Sequence, residues 1–130
     1  MAKTYYVHLG GQARALKYTL ADREWVESQF PRADGTPASL GALVRSHLVD
    51  AGSIKVQSTI LAAGLRHLGD EWTPDRVRTE LGKEDALTKG ILKSYLVPAF
   101  HSILASGVMG TIIENPEGED VEGKAATPAG

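Results

Sequence analysis

The spacing of apolar side chains changes several times along this 130-residue chain, and each change predicts an element. Ile60, Leu61, Leu65 and Leu68 recur at helical spacing and stop at Gly69, a residue suited to the left-handed end of a helix. Thr73 and Pro74 then read as an N-cap and first helical residue, with Asp75 in the positive first turn. Val77 and Leu81 fall one turn apart and Gly82 closes the second helix, so residues 59–82 read as helix, short loop, helix. Trp72, between acids in that loop, is expected to fold back over the pair as a lid.

Before this unit, residues 4–9 (TYYVHL) and 13–19 (ARALKYT) carry strand patterning on either side of Gly10-Gly11, which predicts a β-hairpin. Tyr6, His8, Leu16 and Tyr18 are its large side chains, and an isolated ribbon is marginal in water, so its apolar face should rest on helices. Thr19 with Asp22 resembles a capping box opening a helix in which Leu20, Trp25, Val26 and Phe30 can share a buried side; Pro31 ends it. Asp34-Gly35 and Pro37 are turn chemistry. Ser39 caps a helix through Leu40, Leu43, Val44, Leu48 and Val49 to Gly52, and Ser53 caps the next at once.

Beyond Gly82 the longest periodic run extends from Leu87 through Ile91, Leu92, Tyr95, Leu96, Ala99, Phe100, Ile103 and Leu104. Pro98 lies inside it and predicts a kink, or two helices meeting near Leu96 and Val97. From Ile113 the chain is poor in apolar side chains and reads as disordered. The fold class expected is α+β: an N-terminal β-hairpin packed on a bundle of about five or six mostly short helices, with one globular domain over residues 1–112 and an acidic flexible tail over 113–130.

Composition narrows the chemistry. The absence of cysteine excludes disulfides, thiolate metal sites and a cysteine nucleophile. No run approaches the roughly 18 apolar residues of a membrane span, and the start lacks a signal-peptide core, so a soluble, unsecreted protein is expected. The tail holds five acids against Lys124, a charge of −4; with −2 overall, residues 1–113 carry +2. That near-neutral body argues against a dedicated nucleic-acid binder. His8, His47, His67 and His101 sit in four segments without ligand spacing, no G-x-S-x-G occurs, and Gly10-Gly11-Gln12 lacks the lysine and helix of a phosphate loop. Asp70, Glu71 and Asp75 do not form a calcium loop. No enzyme, metal or cofactor is expected. The alternative function is a small helix-turn-helix-like nucleic-acid-binding regulatory domain built on Arg66, Arg76 and Arg78, although interleaved acids make that face mixed.

The order of parts resembles the small tail assembly chaperones of long-tailed bacteriophages, gene transfer agents and related prophages. The segments that carry the resemblance are YYVHLGGQARALKYTL, DREWVESQF, SLGALV, AAGLRH with TPDRVRTELG, and ILKSYLVPAFHSILASG, covering residues 4–108. The resemblance implies a non-enzymatic protein that coats the tape measure protein during tail morphogenesis, helps recruit tail tube subunits, acts in the bacterial host cytoplasm and is absent from the mature virion. In some members of that family a programmed frameshift appends a second domain. Partners expected are the tape measure protein, the tail tube protein and further copies of the chain, with no nucleic acid and no membrane. The broad apolar stripe of the last helix points to Leu92, Tyr95, Leu96, Phe100 and Ile103 as partner-binding residues, with Trp72 as a second anchor.

Overall fold

The computed structural model describes residues 3–47, 53–84 and 90–109, without the side chains of His47 and Leu92. The expectations for Leu48, Val49, Gly52, Leu87 and the C-terminal tail therefore lie outside the described residues. Within them the chain is α+β: a two-stranded antiparallel hairpin followed by five α-helices.

Strands β1 (Tyr5–Leu9) and β2 (Gln12–Leu16) pair with Leu9 opposite Gln12 and Tyr5 opposite Leu16. The two-residue turn takes φ of 65° at Gly10 and 87° at Gly11, the doubly left-handed geometry whose twist matches the strands. The expected hairpin is present, but β1 buries its odd-numbered side. Val7 and Leu9 are core residues and Tyr5 packs against them, whereas Tyr6 is 56% exposed and His8 is also exposed. A one-residue choice of phase moves every side chain of a strand to the other face, and both phases of YYVHL carry a large ring.

Helix α1 (Leu20–Ser28) opens with the predicted capping box: the Thr19 hydroxyl accepts from the Asp22 N–H, and the Asp22 carboxylate accepts from the Thr19 N–H at 2.9 Å. Val26 is buried, Trp25 and Phe30 are partly buried, and Leu20 points outward at 59% exposure, contrary to the expectation for that residue. The Asp34 carboxylate then accepts from the Thr36 hydroxyl and N–H, bonds that hold its pKa below the ordinary carboxylate value. Helix α2 (Leu40–His47) is capped by Ser39, and the Glu27 carboxylate also accepts from the Leu40 N–H at 2.6 Å, placing a negative charge on the helix's positive end.

Helix α3 (Ile54–Leu65) is the centre of the fold. It touches α1, α2, α4, β2 and the last helix, and every residue from Val56 to Leu65 is buried. Residues 59–68 are continuous with it, ending in a 3₁₀ turn, Arg66–Leu68, before Gly69 at φ 151°. Leu68 is 41% exposed, because the tighter turn rotates it off the helical stripe. Helix α4 (Pro74–Lys83) starts on the Thr73 cap as predicted and passes through Gly82, which therefore does not close it.

A π-helical turn, Leu92–Leu96, leads into α5 (Val97–Ser106), with Pro98 in the first turn of α5. Helical winding continues through Leu96 and Val97, changing there from π to α where the proline predicts a kink or a meeting of two helices. Proline has no N–H to place in the ladder, and a widened turn before it is one way to accommodate the ring. Val108 and Arg23 fasten the end of α5 to α1, the guanidinium donating to the Val108 carbonyl at 2.7 Å. The buried apolar residues described form one cluster.

Candidate functional site

Four of the six side chains predicted to meet a partner lie inside the chain. Trp72 is 3% exposed, Tyr95 and Leu96 are each 1% exposed, and Ile103 is fully buried. In this conformation they support the surface and do not form it. Leu92's side chain is outside the described residues. Phe100 is half-buried, packing against the core and lying 6.2 Å from the His101 ring.

The geometry of α5 explains the split. Leu96, Ala99 and Ile103 follow one another at three and four residues and face the core, whereas Val97, Phe100 and Leu104 follow the same spacing on an adjacent face. Val97 is 38% exposed, and Phe100 and Leu104 are each partly exposed. The apolar breadth of this helix in the sequence is therefore two stripes side by side, one internal and one reaching solvent. Tyr6, Leu20, Ile54 and Leu68 are the other large apolar side chains exposed among the described residues.

Trp72 has a different surrounding from the lid over two helices that its position suggests. The Arg14 guanidinium lies 5.1 Å from its ring centroid and that of Arg76 lies 4.5 Å away, so cations from β2 and α4 both stack on the indole. Arg14 also donates to the carbonyls of Leu9 and Gly10, at 2.9 and 3.2 Å, tying the hairpin turn to the ring. The Glu84 carboxylate accepts from the Gly11 N–H at 3.0 Å and pairs with His8 at 2.8 Å. The Arg14 contact on Trp72 and the Glu84 contacts with Gly11 and His8 join residues 58 to 76 positions apart in the chain, and no local pattern announces them. They clamp the hairpin turn onto α4.

The arginines that suggested a nucleic-acid face are engaged within the chain. Arg66 lies over Trp25 and 3.7 Å from Asp22; Arg76 bonds Glu80; Arg78 bonds Asp75 and, at 2.8 Å, the Ser58 hydroxyl. Cations paired to neighbouring carboxylates do not present the concentrated positive field that duplex recognition uses. Among the described residues no group of three or more histidines and acids is placed to hold a metal ion, and no helix is long and apolar enough to cross a membrane.

No family model, curated protein or solved structure matches the chain.

Proposed function

We propose that this chain is a phage-type tail assembly chaperone that binds and shields the tape measure protein during tail morphogenesis, without catalysis. The observation that carries the reading is the outer stripe of α5, Val97, Phe100 and Leu104, held in place by the buried stripe beside it. A tape measure protein presents long apolar helical surface, and a small domain with a solvent-reaching apolar helix can cover it one copy at a time. The segments that resemble the family, from the Gly-Gly hairpin to the last helix, contribute to one core, which gives that helix a rigid support. Weak binding repeated along a long target gives a coat that subunits of the tail tube can displace. Recruitment of tube subunits, action in the host cytoplasm and absence from the mature virion complete the proposal.

The test is co-expression with a tape measure protein, the long coiled-coil-rich partner that this reading requires from the same gene cluster, followed by sizing with light scattering. The long protein is expected to become soluble and to co-elute with many copies of the chain. Val97→Asp, at an exposed position, should reduce the copies bound while leaving the chain's own unfolding midpoint nearly unchanged. A long protein that stays insoluble with the wild-type chain, or bound equally by the Val97 variant, overturns the assignment of this face.

A further inference from the structure

On the other flank of α5, away from the Phe100 stripe, an open trough of about 290 Å³ runs between the helix and the hairpin. It is lined by Lys3, Thr4, Leu16, Lys17 and Tyr18 from the ribbon and by Ser102, Ala105 and Ser106 from α5. We propose that this trough binds an acidic polypeptide segment, carboxylates meeting Lys3 and Lys17 and the intervening chain lying on Leu16 and Ala105.

Two cations line the trough and, among the described residues, no acid does. Lys3 lies over the Tyr5 ring, 5.3 Å from its centroid, and remains exposed. Neither lysine is needed to neutralise the negative end of α5, where carbonyls already have donors. Ile103 accepts from the Ser106 hydroxyl at 2.7 Å and Leu104 from the Gly107 N–H at 3.3 Å. Of the hydroxyls, Tyr18 is committed to the Ile60 carbonyl at 2.8 Å, and Ser106 also accepts from the Val108 N–H. Ser102 is different. It is 6% exposed, lines the trough, and its hydroxyl has no hydrogen bond within the described residues. Its oxygen opens onto the trough and is reached by solvent there, so a carboxylate lying in the trough would accept its hydrogen in place of water.

The shape selects a polypeptide over a small acid. Pockets for small ligands enclose most of the ligand's surface, whereas this depression is open along one side and suits a strand of chain passing across it. Two ammonium groups on flexible stems match a run of carboxylates as point charges.

The experiment measures fluorescence anisotropy of a labelled peptide, AEELEEA, with the full-length chain, against the uncharged counterpart AQQLQQA. The acidic peptide should bind with an affinity that falls as salt is raised. The double change Lys3→Gln with Lys17→Gln should weaken it roughly tenfold, and Ser102→Ala roughly threefold, while Lys55→Gln, an exposed cation on α3, should leave it unchanged. No binding, equal binding of AQQLQQA, or an equal loss on changing Lys55 each overturns the proposal. Circular dichroism of each variant separates lost binding from lost folding.

Discussion

Gly64 carries the sharpest structural demand in the core, and Gly64→Ala is expected to destabilise the protein although alanine is the better helix former. A Cβ built at this position of α3 would lie 2.6 Å from Cζ and Oη of Tyr18 and 2.9 Å from its Cε2. None of these atoms can step aside easily. The Tyr18 hydroxyl is fixed to the Ile60 carbonyl, and the neighbouring Lys17 N–H donates to the Gly64 carbonyl at 2.9 Å, so the chain after β2 is pinned against the helix. Replacing glycine by alanine inside a helix gains about 1 kcal/mol. Overpacking a dense core costs about 1–3 kcal/mol, and breaking a buried hydrogen bond costs about 1–3 kcal/mol more. The net expectation is a loss of about 1–5 kcal/mol, centred near 3, read as a lower urea midpoint at an unchanged slope. Tyr18→Leu removes all three of the close atoms, so in that background Gly64→Ala should be neutral or stabilising by up to about 1 kcal/mol. If Gly64→Ala alone is as stable as the wild type, or its cost persists without the Tyr18 ring, the argument from close approach is wrong.

Three further outcomes follow from particular contacts. Thr19→Ala removes the hydroxyl of the α1 capping box and should cost about 1 kcal/mol in urea unfolding. Gly11 sits at φ 87° with open space around its Cα, so Gly11→Asn should be tolerated within about 1 kcal/mol whereas Gly11→Val should cost more, because a β-branched side chain resists the left-handed region. Burial, with the Asp22 charge adding to it, raises the Tyr18 pKa well above the ordinary tyrosine value of about 10. A raised folded pKa contributes stability that is present below the unfolded value and lost as pH climbs above it, so the fold should weaken progressively above about pH 10, and Tyr18→Phe should abolish that part of the alkaline loss.

Local signals in this sequence report local structure well. The Gly-Gly turn, the Thr19, Ser39, Ser53 and Thr73 caps and the irregular winding ahead of Pro98 each depend on interactions within a few residues, so the residue types suffice to place them. The α+β class follows from the same signals, since a hairpin and several short amphipathic helices can bury their faces only against one another. Where two local solutions were nearly equal in energy, the sequence did not choose. YYVHL offers a ring on each face, and only the floor of α4, α5 and the π turn decides that Val7 and Leu9 go in and Tyr6 stays out. The breadth of the last helix likewise could not be divided by periodicity, because a wide stripe looks the same whether one face or two receive neighbours. Packing on α3 and the hairpin buries Tyr95, Leu96 and Ile103 and leaves Val97 and Phe100 reaching solvent. The Arg14 guanidinium on Trp72, the Glu84 bond to the hairpin turn and the approach of Tyr18 to Gly64 join segments far apart in the chain. Such contacts exist only once the chain is folded, so tertiary structure alone determines them.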